Sequence, residues 1–255
     1  MKRLFLLLLC SPWLAFSQET NYLVFESNTL TAIPSQTMRF EAAVAAHNKK
    51  YHASGPHGVR VYEIINGKNA GKYQWVMGPG HWSDLDTRPD EDDNHSVDWV
   101  ANVLPNLTSE QNTLYIRFDA RYSRFPKDFN VSKINFWYWD IIPNADWEKI
   151  RGYLDKIRNV YATKLPDDTY GVYYNELPSS SEGKDVMMGF FFDKYAWMGI
   201  DNGFDKKYEE VYGAGSWKTF LTEWNAQVKG LESEIWEYRE DLSGLPPLVK
   251  AAERQ

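Results

Sequence analysis

The sequence predicts an α+β fold made of two tandem copies of one unit, and three observations predict it. The order strand–helix–strand–strand–helix occurs twice, and Gly58-Val-Arg-Val-Tyr-Glu-Ile64 returns 113 residues later as Gly171-Val-Tyr-Tyr-Asn-Glu-Leu177. The segments between turns alternate or are continuously apolar, as half-buried or fully buried strands do. The intervening helices carry one apolar stripe, so each has a single face to bury. A repeat of 113 to 115 residues (Trp82 to Trp197) is too long for a solenoid unit and suits a duplicated small domain.

In the first copy, Asn21–Ser27 alternates and reads as a strand. A helix follows from Ser35, a residue type able to cap it, to Tyr51, with Phe40, Ala43, Val44, His47 and Tyr51 on one stripe. Gly58–Ile65 and Tyr73–Met77 read as two strands separated by Asn66-Gly67 and Gly71, residues that favour turns. Gly78-Pro79-Gly80 ends the second of them. A polar loop, a short helix from Ser96 to Val103 and a strand over Thr113–Asp119 complete the unit.

The second copy repeats the order. Lys133–Ile142 is a strand, Asn144 is placed to cap a helix bearing Trp147, Ile150, Leu154, Ile157 and Tyr161, and Gly171–Leu177 and Val186–Phe192 are strands. Gly183-Lys184 mirrors Gly71-Lys72, and Trp197–Asp201 mirrors Trp82–Asp86. The chain then reads as one long helix from Ser216 to Asp241, with Phe220, Trp224, Val228, Leu231, Ile235 and Tyr238 on its stripe. These boundaries divide the chain into residues 1–17, a first unit 18–127, a second unit 128–244 and a tail 245–255.

This element order is the split βαβ arrangement of ferredoxin-like folds. Right-handed crossovers put both helices of a unit on one sheet face and leave the other bare. Two bare aromatic faces bury each other. The chain therefore resembles the dimeric α+β barrel superfamily, in which two ferredoxin-like units pack sheet to sheet, and its Gly71–Trp75 run ending in Gly78-Pro79 resembles that superfamily's second hairpin. The resemblance spans residues 20–242 and implies a single-chain barrel similar to antibiotic-biosynthesis-monooxygenase-like domains.

The first residues, Met1-Lys-Arg-Leu-Phe-Leu-Leu-Leu-Leu9, form a basic tip and a leucine run, and Ala15-Phe-Ser17 offers small residues where signal peptidase reads. The expectation is a leader cleaved between Ser17 and Gln18, and a secreted or periplasmic protein. Leu9 before Cys10 argues against lipidation. Cleavage takes away Lys2, Arg3 and the single Cys, so the net charge moves from −7 to −9. Disulfides, thiolate metal sites and cysteine nucleophiles are excluded from the mature chain. The acidic balance argues against nucleic acid as a partner, and no other apolar run is long enough to span a membrane. Asn106-Leu-Thr108 and Asn130-Val-Ser132 match the glycosylation sequon, which matters only in a eukaryotic host.

All five histidines, at 47, 52, 57, 81 and 95, fall in the first unit, which points to a site that the second unit lacks. His47 and His52 lack the i, i+4 spacing of a helical metal pair, and Lys49 and Lys50 lie between them, so no metal site is expected there. The acidic run from Asp84 and Asp86 through Asp90-Glu-Asp-Asp93 to His95 and Asp98 has no EF-hand spacing and reads as a solvated loop. No nucleophile elbow, phosphate loop or dinucleotide fingerprint occurs. Trp75, Trp82, Tyr62, Phe136–Trp139, Phe190–Phe192 and Trp197 supply a large aromatic core, or a pocket for a planar apolar ligand.

The favoured reading is an exported protein that binds a small hydrophobic or aromatic ligand, or a partner, through a duplicated barrel; a monomer is favoured and the oligomeric state is left open. No motif demands a cofactor. The resemblance implies two alternatives. One is a cofactor-free monooxygenase acting on aromatic substrates, for which Asn48, Tyr51, Trp75 and His81 are the candidates by position. The other is haem binding with His47 as the axial ligand.

Overall fold

The structure, a computed structural model, describes residues 22–88, 94–179 and 182–254. The leader at residues 1–17, its cleavage point and Asp90–Asp93 of the acidic run lie outside the described residues. The first unit runs β1 (Val24–Ala32), α1 (Thr37–Tyr51), β2 (Val59–Ile64), β3 (Tyr73–Gly80), α2 (His95–Asp98) and β4 (Leu107–Phe118). A short strand β5 (Phe129–Asn130) leads into the second unit. That unit comprises β6 (Lys133–Ile141), α3 (Trp147–Lys164), β7 (Tyr170–Asn175), β8 (Val186–Phe192), α4 (Phe204–Tyr212), α5 (Ser216–Asn225) and β9 (Val228–Tyr238), followed by β10 (Leu248–Val249).

The duplication is explicit in the sheet. The first unit pairs in the order β4-β1-β3-β2 and the second in the order β9-β6-β8-β7, which is one topology twice. Every pairing is antiparallel. The units join reciprocally, the last strand of each against the second strand of the other, so the ladder of eight strands closes on itself. Both seams are short: Tyr62–Ile64 against Trp236–Tyr238, and Ile116–Phe118 against Tyr173–Asn175. Within units the ladders are longer, β6 and β9 pairing from Lys133–Glu237 to Ile141–Val228.

Alternation along the strands distributes side chains between two environments. Tyr62, Ile134, Phe136, Tyr138, Tyr173, Met187 and Trp236 point into the barrel core. The outer face of the first unit buries Val59, Val61, Tyr73, Trp75 and Met77 under Phe40 and Val44 of α1. The outer face of the second unit buries Trp139, Val172, Tyr174 and Met188 under Ile150, Leu154, Phe220 and Trp224. The consecutive aromatics of β6 thus serve both faces, except that Trp137 stays 40% exposed.

Several expectations are corrected. The long helix from Ser216 to Asp241 is instead α5, ending at Asn225, and then β9. Its six stripe residues keep helical spacing by coincidence: Phe220 and Trp224 are buried from the helix, whereas Val228, Leu231, Ile235 and Tyr238 lie on β9, where Leu231 is 57% exposed and Trp236, off the stripe, faces the barrel core. Gly230, unfavourable inside a helix, and the strand-favouring Ile235, Trp236 and Tyr238 are the signals that the helical stripe masked. The α3 cap is Asp146, which accepts from the backbone N–H groups of Glu148 and Lys149, rather than Asn144. Ser35 does not cap α1; it sits in a 3-10 turn, Pro34–Gln36, and α1 starts without a side-chain cap. The segment after β9 is no loose tail either. Val249, Ala251 and Arg254 are buried, and β10 pairs with β5.

Candidate metal centre

The last turn of α1 places His47 and Asn48 inward at 1% and 0% exposure, with Tyr51 beside them. His52 follows the helix directly; its N–H still bonds the Asn48 carbonyl, and the chain then turns toward β2. Across the gap, α2 opens with His95 and ends with Asp98, and continues as a π-helical turn, Trp99–Val103. Such turns recur at functional sites because the wider coil re-aims one or two side chains. Here it sets Trp99 against His47 at 5.1 Å between ring centroids.

The three histidines converge. One ligand nitrogen from each of His47, His52 and His95 lies within 4.8 Å of the other two. Two of the rings are oriented from behind. The Nδ1–H of His47 donates to Asp98 Oδ2 at 2.7 Å, and the Nδ1–H of His52 donates to the His57 carbonyl at 2.7 Å. A carboxylate and a carbonyl only accept, so both protons sit on Nδ1 and both Nε2 atoms present lone pairs. Among the described residues His47 Nε2 is buried without a partner. His52 Nε2 faces His95 Nε2 at 3.1 Å, a separation that calls for a shared proton or a cation.

Electrostatics keep the rings neutral. Burial pushes His52 down to about 3 and lowers His47 and His95 as well, and the mutual proximity of the rings adds to this for His52 and His95. The hydrogen bond from His47 holds Asp98 below the ordinary carboxylate range. The result is a neutral imidazole against a carboxylate, the arrangement that fixes the tautomer of a metal-ligating histidine.

The donor set fits one ion. Three imidazole nitrogens suit zinc, copper or iron, and tetrahedral bonds of about 2.0–2.1 Å require nitrogens roughly 3.3 Å apart, against 3.1 Å between His52 and His95 and at most 4.8 Å across the three rings here. A porphyrin plane against His47 does not fit this shell. Tyr51, His52, His95 and Trp99 all close on the His47 ring at 4.8–5.2 Å between centroids, which leaves no slot for a flat macrocycle.

The other sequence candidates divide. Trp75 Nε1–H donates to Asn48 Oδ1 at 3.0 Å, and Asn48 Nδ2–H donates to the Leu242 carbonyl at 2.8 Å, so the two saturate each other and support the floor of the site. Trp75 also meets the His52 ring edge-on at 5.1 Å. Tyr51 lines the site and donates to the Asn94 carbonyl at 3.2 Å. His81 lies outside it, at the start of a 3-10 turn where its backbone N–H bonds Asp84 Oδ2. His57 contributes its carbonyl rather than its ring, whose Nε2–H goes to the Asp84 carbonyl. His95 and Asp98, which the sequence places at the end of a solvated acidic loop, instead open and close α2 and join the site; they sit on a different segment from His47, which spacing along the chain does not connect. The spacing argument against His47 and His52 concerned two residues on one helix face, and His52 is past the helix end. Lys49 and Lys50 between them are exposed, and Lys50 Nζ lies over the Tyr51 ring at 4.6 Å rather than among the imidazole nitrogens.

No family profile matches the chain, and no curated protein matches it in sequence. Solved structures do match in shape. A structure from Lactobacillus acidophilus NCFM, provisionally assigned as a monooxygenase, superposes with a TM-score of 0.52 at 12% identity, over 90% of this chain and 100% of that one. An anthrone oxidase-like protein gives 0.50 at 12% identity, over 93% and 96%. Chlorite dismutase from Candidatus Nitrospira defluvii, in complex with imidazole, gives 0.52 at 10% identity, over 86% and 93%. These neighbours are proteins of the dimeric α+β barrel superfamily, and this chain shares their fold. At these identities the likeness concerns the fold.

Proposed function

We propose that the protein is a metal-dependent enzyme that holds one divalent transition-metal ion on Nε2 of His47, His52 and His95. The observation that carries the reading is the convergence of three neutral ring nitrogens, two of them aimed by acceptors behind the ring. Three neutral imidazoles would hold such an ion without cancelling its charge, and the chemistry it would supply is polarisation of a water or substrate oxygen. Asp98 holds the His47 proton at Nδ1 and keeps that ring's lone pair on the site. Tyr51 and Trp99 pack on the His47 ring and Trp75 on that of His52, and His95 is the half-buried member of the three histidines.

The structural neighbours support a ligand- and cofactor-binding enzyme over a simple binding protein. The cofactor-free reading is the weaker alternative, because Asn48 and Trp75 spend their polar atoms on each other and on Leu242. Export through the leader at residues 1–17 belongs to the same proposal, supported by its basic tip and leucine run.

Titration of the metal-free chain with Co²⁺ tests the reading through visible d–d absorption, with Zn²⁺ as competitor. One ion per chain is expected, with binding abolished in a His52→Ala, His95→Ala double variant and weakened roughly 10–100-fold in Asp98→Asn. No uptake, or uptake unchanged in the double variant, overturns it. A Soret band on haem titration that is lost in His47→Ala would transfer the ligand to a porphyrin.

A further inference from the structure

The barrel interior contains a second feature, independent of the histidines. A cavity of about 70 Å³ lies among Phe25, Tyr62, Phe136, Tyr173 and Trp236, and two arginines, Arg60 and Arg254, line it with no acid among the lining residues. Arg254 arrives from the C-terminal segment, which is fastened across the barrel mouth. Arg60 donates to the Pro246 and Leu248 carbonyls, the Val131 N–H bonds the Pro247 carbonyl, and the Ala251 N–H bonds Asp128 Oδ1 at 2.8 Å.

The Arg254 side chain is out of place for a structural arginine. The residue is 8% exposed, and among the described residues it forms no ion pair and one long hydrogen bond, 3.4 Å to the Glu253 carbonyl. Its guanidinium lies over Phe25 and Phe118, at 5.5 and 5.9 Å from the ring centroids. Burial and the nearby Arg60 oppose its charge, while the Tyr173 and Tyr62 phenols and, at longer range, the Glu253 carboxylate favour it without forming an ion pair. A buried charge that no carboxylate among the described residues pairs is costly, and the planar guanidinium fork matches a carboxylate in two bonds.

We propose that the barrel cavity is a binding site for a short-chain carboxylate, with Arg254 as its counter-ion and the aromatic cage around its alkyl end. The size follows from the volume. A cavity of about 150 Å³ accommodates benzene, so 70 Å³ takes roughly three to five heavy atoms, the range of acetate and propionate. The mostly carbon lining favours an organic acid over an inorganic oxyanion, which would leave acceptor oxygens against aromatic faces.

The test is thermal unfolding of the full chain in gluconate, an anion too large for the cavity, with added acetate, propionate or nitrate at constant ionic strength. Saturable stabilisation by propionate and acetate is expected, about 5 °C when the carboxylate exceeds its Kd roughly 100-fold. Arg254→Met removes the unpaired charge; it should melt no lower than the parent in gluconate and lose the response. Val76→Phe keeps both arginines and narrows the cavity, and should weaken propionate at least 10-fold. No stabilisation by either carboxylate overturns the proposal, as does a response retained in both variants. Stabilisation by nitrate with none by propionate overturns the carboxylate assignment. Because both variants leave His47, His52 and His95 intact, failure here is distinct from failure of the metal reading.

Discussion

The two units share one topology and differ in what they bury between helix and sheet. Displaced by the 113 residues that separate Gly58 from Gly171, His47 corresponds to Val160, Asn48 to Tyr161 and His52 to Leu165. Val160 and Tyr161 pack into a continuous aromatic layer with Tyr153, Tyr170, Tyr208, Phe220 and Trp224. His47, Asn48 and His52 occupy the same layer as polar groups at 2% exposure or less, each needing partners. The second unit spends its helix–sheet layer on packing. The first gives up part of that packing for a site, since buried polar groups cost stability unless satisfied. The covering helices follow suit, α4 and α5 supplying aromatic bulk while α2 and its π-helical turn supply His95, Asp98 and Trp99.

The largest effect expected from this contrast is in the second unit. Trp224 packs against Trp139 at 5.3 Å and against Phe220 and Tyr153, so Trp224→Ala should lower stability by about 3–5 kcal/mol in urea unfolding while leaving metal uptake in place. A loss of metal binding in that variant would show that the two layers are coupled.

Gly244 gives the next effect, and it belongs to both units. It follows β9 of the second unit but packs on the first: a Cβ there would stand 2.1 Å from the His52 carbonyl oxygen and 2.6 Å from that of Asn48. Gly244→Ala should cost about 1–3 kcal/mol and weaken Co²⁺ uptake, because the clash pushes on the backbone that aims His52. Gly152→Ala, in the exposed face of α3 with nothing within 4 Å of the new carbon, should raise stability by about 0.5–1 kcal/mol and leave uptake unchanged.

The smallest effect sharpens the comparison most. His47→Val installs the second unit's residue in the first. Asp98, with 27% of its side chain exposed, can turn to water, so the metal-free protein should change by no more than about 1 kcal/mol while metal binding is lost. A large loss of stability without metal would mean that His47 is chiefly a structural residue.

Much of the fold was legible because it rests on local pattern. Gly58–Ile64 and Gly171–Leu177 announce the same strand twice, and the α1 and α3 stripes mark which face is covered. The end of the second unit was not legible for an equally local reason. Phe220 to Tyr238 satisfies helical spacing, and only pairing with β6 and β2 turns Val228–Tyr238 into a strand. At the site, confinement of histidine to one unit and the inward stripe position of His47 were visible. The partnership of His52 with His95 was not, since 43 residues and a change of segment separate them.

By itself, then, the sequence determined the α+β class, the duplication, the inward-facing stripes and the placing of every histidine in the first unit. These follow from side-chain periodicity and residue type, which act over a few residues. The tertiary structure alone decided which seams close the ladder, that the C-terminal segment carries Arg254 into the barrel, and that His47, His52 and His95 meet. Those outcomes depend on pairings between distant segments, whose free energy comes from burying two surfaces that neither segment carries alone.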